Sequence, residues 1–325
     1  MSGIDGLSAA LQALPLRVDD AAVQFGEVAL ASYAGGPRPS STVTLSGGGL
    51  VGRGEHVGWT VAEHDSFSAA VSDVPRGRKH LGEWIAALAH LPLYDRAALE
   101  AAAIDLALRQ HDTNLFRMAG ASPRPVRYVV SFARFAEPAV ESKVLAPGDI
   151  EVKVDADPRW TDEVYHSLAS LGRIAVLDFK MQGEAEDHER ACRHLPQAWI
   201  EDPKPSAAAH SPALAARVSA DAVVTSVAAL AALLPRPAAV NVKPARMGSV
   251  LAAIECLARC RHEGLVTYIG GMFEVGIGRM QLRALAALAC FDGPNDIAPL
   301  LSDTRRPAHL FVNESSPGYA QENEP

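Results

Sequence analysis

The pattern of apolar positions changes near residue 125 of the chain. Before it, short β-like runs at residues 23–30 and 41–45 are separated by clusters of Gly, Pro and Ser, which is typical of an antiparallel meander. Residues 95–108 consist largely of strong helix formers with apolar positions three and four residues apart, and this predicts a helix. We therefore expect an N-terminal α+β domain over residues 1–125.

After residue 125 short apolar runs alternate with helical stretches. Seven runs of three to seven residues are predicted strands: 127–133, 150–154, 174–177, 198–200, 217–220, 238–242 and 265–269. This alternation is typical of βα units and a parallel sheet. An eighth strand is expected after residue 288, so the pattern favours a closed (β/α) barrel over residues 126–313. The polar residues 314–325 are expected to form a C-terminal tail.

Composition and charge exclude several classes of partner. The 325 residues are 48% hydrophobic and carry a net charge of −8, which argues against a surface that binds nucleic acid. No apolar stretch reaches the roughly 18 residues of a membrane helix, and the N-terminus does not resemble a secretory signal. Four cysteines are too few for a disulfide scaffold and fit a cytoplasmic protein. We expect a small-molecule partner and leave a homo-oligomer open.

Charged residues recur at the ends of the predicted barrel strands. Lys153 lies in the second run, and the next four runs are followed by charged residues spaced 20 to 25 positions apart: Asp178, Glu201, Asp221 and Lys243. Because the carboxyl ends of barrel strands meet at one face, these five side chains are expected in one pocket. A single strand-end carboxylate is more often a helix cap, but five charged residues on consecutive units favour a functional set.

Three carboxylates in one pocket predict a metal site, because they repel each other unless a cation neutralises them. Oxygen ligands without His or Cys select a hard ion, so Mg²⁺ is expected, with Mn²⁺ as an alternative. Such an ion stabilises the enediolate formed when a proton is removed alpha to a carboxylate. A lysine near it can act as the base. Lys153 and Lys243 on opposite sides would remove and return a proton, or supply a cationic contact to the intermediate.

At these residues the chain resembles the enolase superfamily, and within it the muconate-lactonizing-enzyme branch. Trp199-Ile-Glu-Asp-Pro203, Ser219-Ala-Asp221 and residues 240–248 are similar to the motifs of the fourth, fifth and sixth barrel strands. Residues 97–120 and Gly54-Glu55 are similar to parts of the family's capping domain. The resemblance covers roughly residues 15–300. It implies an α/β fold: a (β/α)₇β TIM-like barrel with an N-terminal α+β capping domain.

Residues 243–246 and 270–279 are most similar to the o-succinylbenzoate synthase and N-acylamino-acid racemase subgroup. The resemblance implies Mg²⁺ on Asp178, Glu201 and Asp221, Lys153 as principal acid/base with Lys243 facing it, and substrate contacts at Gly270, Gly271 and Met272. The synthases eliminate water from a carboxylate substrate to form o-succinylbenzoate, a step in menaquinone biosynthesis. The racemases invert an N-acylated amino acid in the same pocket.

Three positions depart from the family's pattern. Glu151 stands where the second strand usually carries the first lysine of Lys-x-Lys, and this carboxylate is expected to raise the pKa of Lys153. Lys180 stands where the third strand usually carries Asn. It is expected either to point away from the metal site or to replace the metal in part with its ammonium. Ala222 follows Asp221, where the family commonly has Glu.

Two classes of function follow. The first is an active Mg²⁺-dependent enzyme, either an o-succinylbenzoate synthase-like lyase or, as the alternative, an N-acylamino-acid racemase or dipeptide epimerase. A dipeptide epimerase needs an acidic grip on the substrate ammonium, for which Asp292 and Asp296 are weak candidates. The second is a barrel of the same ancestry that has lost catalysis and acts as a binding protein. Glu151 and Lys180 favour this second class.

Overall fold

The computed structural model describes residues 3–29, 36–132, 151–208 and 211–297. The predicted tail at 314–325 and the predicted end of the barrel at residue 313 lie outside these ranges. Within them the chain forms two small antiparallel sheets with helices, followed by a parallel sheet of seven strands. No helix among the described residues is both long enough and apolar enough to cross a membrane.

The first part of the chain is built around a β-meander. Its three strands pair in the order β2-β3-β4, and a further pair, β1 with β5, is antiparallel. The strands are β1 Pro15–Val18, β2 Asp20–Val28, β3 Arg38–Gly47, β4 Leu50–His56 and β5 Gly77–His80. Gly48 and Gly49 join β3 to β4 with φ of 61° and 79°, a two-residue turn that glycine adopts without strain.

Among the described residues five helices accompany these strands, and the longest contains the helix predicted at residues 95–108. They are α1 Leu7–Gln12, α2 Val61–Val71, α3 Leu81–Ala86, α4 Leu93–Gln110 and α5 Leu115–Ala119. Helix α4 lies directly on β4 because the strand has glycines there. A Cβ at Gly52 would come 2.2 Å from the backbone N of Leu106, and one at Gly54 would come 2.1 Å from the carbonyl O of Ala98. Small residues therefore set the spacing between this helix and the sheet.

The second part of the chain is a parallel sheet whose strands pair in chain order. The strands are β6 Val129–Phe132, β7 Glu151–Asp155, β8 Ile174–Asp178, β9 Trp199–Glu201, β10 Val218–Ala220, β11 Ala239–Val242 and β12 Val266–Ile269. Each overlaps one of the seven predicted runs. Residues 295–296 lie between the two outer strands, where Asn295 forms a parallel bridge to Tyr128 and Asp296 forms one to Gly270. These two bridges close the curled sheet into the predicted barrel.

Eight helices follow the barrel strands in the part of the chain that the structure describes. They are α6 Asp162–Ser170, α7 Ala185–His194, α8 Pro205–Ala208, α9 Pro212–Ala215, α10 Val227–Ala232, α11 Pro244–Met247, α12 Val250–His262 and α13 Ile277–Ala289. Buried residues of α12 and α13 belong to the same apolar core as buried residues of α4. The first part of the chain is thus packed onto the barrel through a shared core.

Polar contacts fix the first part of the chain over the carboxyl ends of the barrel strands. The carboxylate of Glu55 accepts hydrogen bonds from the backbone N–H groups of Val275, Gly276 and Gly278 at 2.7, 2.9 and 2.8 Å. The buried guanidinium of Arg38 donates to the carbonyls of its own domain and, at 3.1 Å, to that of Met272 in the barrel. Glu55 and Arg38 of the first part of the chain therefore hold the loop that follows β12.

Candidate active site

The three predicted metal ligands meet in one buried cluster. Asp178 is the last residue of β8, Glu201 is the last residue of β9, and Asp221 directly follows β10. One carboxylate oxygen from each residue lies within 4.8 Å of those of the other two, and all three side chains are buried. The parallel register pairs Asp178 with Glu201, which explains why residues 23 positions apart in sequence become neighbours.

The two predicted lysines flank this cluster. Lys153 lies on β7, forms an ion pair with Glu201, and has its Nζ 3.2 Å from Asp178 Oδ2. Lys243 directly follows β11, and its Nζ donates to Asp221 Oδ2 at 2.9 Å. Both lysines are buried. Three strands, β8 to β10, lie between β7, which carries Lys153, and β11, which Lys243 follows. They therefore approach the carboxylates from different sides.

Two further charged side chains, Asp296 and Arg246, contact the cluster. The Asp296 carboxylate lies 3.4 Å from Lys153 Nζ, so it neutralises the lysine at the barrel seam. Arg246, on α11, donates to the second oxygen of Asp221. Of the two acidic residues predicted to grip a substrate ammonium, Asp296 thus faces a lysine of the protein. Asp292 is exposed, and its carbonyl accepts a hydrogen bond from Arg127.

Glu151 acts on a different partner from the predicted one. Its carboxylate pairs with the guanidinium of Arg127, with Nη2 donating to Oε1 at 2.6 Å. Burial tends to lower the pKa of Lys153, but Glu201, Asp296 and Asp178 outweigh it and raise that pKa well above its ordinary value. The field at Lys153 is therefore set by the carboxylates of the cluster.

Lys180 points into the site. Its ammonium forms ion pairs with Asp178 and, at 3.2 Å, with Asp155 Oδ1 at the end of β7. Of the two orientations expected from the sequence, the structure has the one in which this ammonium lies beside the predicted metal ligands. Asp155 was not among the predicted site residues. The sequence could have predicted it, because Asp155 is two residues beyond Lys153 and side chains two apart on a strand point to the same face.

The three carboxylates differ in their electrostatic state. Burial raises the pKa of Glu201 to about 8, although its oxygens accept hydrogen bonds from Tyr268 OH at 2.5 Å and Asn241 Nδ2 at 3.2 Å. Burial acts in the same direction on Asp178, but Lys153 and Lys180 outweigh it and lower its pKa to about 2. Lys243 and Lys153 likewise overcome burial and lower the pKa of Asp221.

Two observations show that this cluster fits a divalent cation. Its acidic side chains outnumber its basic ones, so a bound cation would relieve the repulsion among the carboxylates. The acids are Asp155, Asp178, Glu201, Asp202, Asp221 and Asp296, and the bases are Lys153, Lys180, Lys243 and Arg246. The buried Oδ1 of Asn241 also has no hydrogen-bond partner among the described residues. Carboxylate and amide oxygens are ligands that Mg²⁺ prefers.

The predicted substrate residues lie beside Lys243. A Cβ on Gly270 would come 2.5 Å from Lys243 Cε, and Gly271 donates its N–H to the carbonyl of Asp296 at 3.1 Å. Met272 is buried, with its sulfur 4.0 Å from Arg246 Nη2. The loop over residues 270–272 therefore borders the cluster directly.

A cavity of about 600 Å³ lies where the first part of the chain meets α11. It is lined mainly by side chains of α2, of the N-terminal turn of α4 and of the end of β4, together with Arg246. This is within the size range of small-molecule sites. Because Arg246 also binds Asp221, one wall of the cavity is directly connected to the cluster.

The fold is similar to that of solved structures described as members of the enolase superfamily. A crystal structure of a dipeptide epimerase from Methylococcus capsulatus complexed with Mg ion matches with a TM-score of 0.78 at 20% identity, over 94% of this chain and 99% of that chain. A muconate lactonizing enzyme matches with a TM-score of 0.74 at 14% identity, over 93% and 96% of the two chains. These likenesses confirm the predicted barrel with its capping domain.

The chain belongs to the family described as a domain of unknown function, DUF8230. The model of the family's C-terminal domain matches residues 122–303, and that of its N-terminal domain matches residues 9–118. An N-succinylamino acid racemase from Amycolatopsis is 29% identical over 151 residues, 46% of this chain and 36% of that protein. An o-succinylbenzoate synthase from Bacillus subtilis (strain 168) is 39% identical over 59 residues, 18% and 16% of the two. The chain thus aligns with about a third of the racemase's length and less of the synthase's.

Proposed function

We propose that the protein is a Mg²⁺-dependent enzyme that removes a proton alpha to the carboxylate of a small-molecule substrate. The observation that carries the proposal is the buried cluster of Asp178, Glu201 and Asp221 between Lys153 and Lys243. The leading reaction is an o-succinylbenzoate synthase-like dehydration, which would serve menaquinone biosynthesis in the cytoplasm. The similarity of residues 243–246 and 270–279 to that subgroup supports it.

The acidic cluster would hold the ion. Asp178, Glu201 and Asp221 are the ligands in this proposal, and either Mg²⁺ or Mn²⁺ suits their oxygen atoms. When bound, the ion supplies positive charge that stabilises the enediolate formed from the substrate. Burial strengthens this effect, because the charges interact in a medium of low dielectric constant.

The two lysines would move and hold protons at their Nζ atoms. Lys153 would take the alpha proton in its neutral form, which requires a bound ion to offset the carboxylates that raise its pKa. Lys243 would contact the anionic intermediate from the other side of the barrel. In a racemisation, Lys243 would instead return the proton on the opposite face. Gly270 leaves room for the Lys243 side chain, since any side chain there would overlap Cε. Binding and orientation of the substrate fall to the loop over residues 270–272.

Racemisation of an N-acylamino acid is the second candidate within this chemistry. The match to the N-succinylamino acid racemase is longer than the match to the synthase, 151 against 59 residues, and this favours it. A dipeptide epimerase ranks lower because Asp296 faces Lys153. A barrel that only binds its ligand is the alternative of a different class. It is favoured by Lys180, whose ammonium lies on Asp178.

Proton exchange tests the proposal directly. The purified protein with Mg²⁺ is incubated in D₂O with the elimination substrate of the synthase and with a panel of N-succinylamino acids, and the alpha position is followed by NMR. We expect exchange with at least one substrate, and a loss of about 10²–10⁴-fold in Lys153→Met, because a positioned base contributes that much. Lys79→Met, in exposed strand β5, is the matched control and should retain the wild-type rate.

The products separate the candidates. Loss of water identifies the lyase, and inversion without loss of water identifies the racemase. Exchange that survives in Lys153→Met would show that another group is the base. A protein that binds Mg²⁺ in calorimetry, and binds a substrate without exchanging its proton, would be a binding protein and would contradict the proposal.

A further inference from the structure

Lys180 contacts both oxygens of the proposed metal ligand Asp178. Its backbone N–H donates to Oδ1 at 2.9 Å, and its ammonium forms an ion pair with Oδ2. The same Oδ2 lies 3.2 Å from Lys153 Nζ. A divalent ion bound to Asp178 must therefore share this carboxylate with the ammonium of Lys180 or displace it.

The turn after β8 aims this ammonium at the site. Lys180 and Met181 have φ of 51° and 60°, a region that non-glycine residues adopt only when the surroundings hold them there. Hydrogen bonds supply that support: Met181 N–H donates to the carbonyl of Asp202 at 2.7 Å, and Gln182 N–H to that of Phe179 at 2.8 Å. The hydrogen-bonded turn after β8 thus fixes the direction of the Lys180 side chain.

Lys180 differs from the other lysines of the site in its exposure to solvent. Its side chain is 44% exposed, against 2% for Lys153 and 9% for Lys243. It also has a second partner, since Asp155 Oδ1 lies 3.2 Å from its Nζ. Asp155 is adjacent to Asp178 in the strand register, and its side chain is 23% exposed. The ammonium can leave Asp178 and remain paired.

We propose that Lys180 is a displaceable counter-cation of the metal site, which competes with the divalent ion for Asp178 and is retained by Asp155 when the ion binds. This inference rests on the proposed function, because it takes Asp178 to be a metal ligand. Lys180 is a positioning residue in this role, since it acts on the ion through Asp178. Its ammonium keeps the acidic cluster folded before the ion arrives and weakens the ion's binding.

Calorimetric titration of the purified full chain with MgCl₂ tests the competition. In Lys180→Asn we expect Mg²⁺ to bind about tenfold more tightly, because a cation in contact with the ligand is removed. Asn suits the backbone here, since it tolerates positive φ better than other non-glycine residues. Lys79→Asn removes the same charge from the exposed strand β5 and should leave the dissociation constant unchanged.

Thermal unfolding supplies a second readout that simple damage to the fold would not reproduce. With EDTA, Lys180→Asn should unfold at a lower temperature than the wild type, because the carboxylates have lost a counter-cation. With saturating Mg²⁺ the gain in unfolding temperature should be larger in the variant, since tighter binding stabilises the folded state more. A variant that is destabilised equally with and without Mg²⁺ would overturn the proposal.

Asp155→Asn tests whether Asp155 retains the Lys180 ammonium when the ion binds. It should weaken Mg²⁺ binding in the wild type, and this effect should largely disappear in the Lys180→Asn background, because Asp155 acts through Lys180. If Asp155→Asn weakened Mg²⁺ binding equally in both backgrounds, Asp155 would act only through its negative charge. The proposal that it retains the Lys180 ammonium would then be wrong. If the wild type binds Mg²⁺ and Lys180→Asn binds it equally well, the competition is overturned and the metal site stands. If neither binds it, both proposals fail.

Discussion

Gly270 is the residue on which the space for Lys243 depends. A Cβ there would come 2.3 Å from Asn241 Oδ1 and 2.5 Å from Lys243 Cε, both closer than real Cβ contacts. Gly270→Ala must therefore displace both of these side chains. We expect kcat to fall by at least about tenfold, since small misplacements of reacting groups are costly. Overpacking of this kind should also reduce the free energy of unfolding by about 1–3 kcal/mol.

Steady-state kinetics on the substrate identified by proton exchange, together with urea unfolding, measures both effects. Gly26→Ala is the matched control, because Gly26 lies in exposed strand β2 and an added Cβ there meets nothing within 4 Å. It should leave both kcat and stability near the wild-type values. A Gly270→Ala enzyme with wild-type kcat would show that Lys243 does not need its present position.

Residues at strand ends could be predicted, and residues placed by the barrel's closure could not. Asp178, Glu201 and Asp221 could be found because each follows an apolar run at the βα period, and parallel strand ends meet at one face. Tyr268, which donates to Glu201, lies inside a predicted apolar strand. The pattern there assigns a tyrosine to the hydrophobic core and not to the site. The contact of Asp296 with Lys153 depends on two bridges at the seam, which no local pattern indicates.

At the scale of elements, Glu55 joins strand β4 to helix α13. Its carboxylate accepts three backbone N–H groups at and before the first turn of α13, where the helix has unpaired donors and a positive end. Glu55→Gln keeps the shape but removes the charge and one acceptor, so we expect a loss of about 1–3 kcal/mol in the free energy of unfolding. Urea unfolding should show it as a lower midpoint.

Glu27→Gln serves as the control for this change, because Glu27 is exposed in strand β2 and should be neutral when substituted. If both substitutions had the same small effect, the anchoring role of Glu55 would be lost. The resemblance pointed to Gly54-Glu55 as a pair that the family also carries. The loop that Glu55 binds could not be derived from the sequence, since the two elements lie more than 200 residues apart.

The elements that were missed lack an apolar period of their own. Strand β5, Gly77–His80, has four exposed residues and exists because β1 offers it backbone partners. Within residues 288–297, the described part of the region expected to hold the eighth barrel strand, the two bridges at Asn295 and Asp296 take its place. In contrast, the seven barrel strands carry buried apolar runs, so their number and order follow from the sequence pattern.

At the scale of the whole molecule, Glu100 connects the stability of the two parts to pH. It lies on α4, and its Oε1 accepts hydrogen bonds from Ser249 Oγ at 2.9 Å and Leu251 N at 2.7 Å at the start of α12. Its Oε2 is buried without a partner among the described residues. Burial outweighs these hydrogen bonds and raises the pKa of Glu100 from 4.5 to about 7.

A raised pKa stabilises the folded state at low pH. Between pH 4.5 and about 7 the folded protein holds a proton on Glu100 that the unfolded chain releases, so stability falls as pH rises through this window. The contribution of this residue is about 3 kcal/mol at most, from 1.36 kcal/mol for each pKa unit. Glu100→Gln mimics the protonated acid and should match the wild type near pH 4.5 but exceed its stability at pH 8. Urea unfolding at a series of pH values measures the difference, and parallel curves for the two proteins would contradict a protonated Glu100.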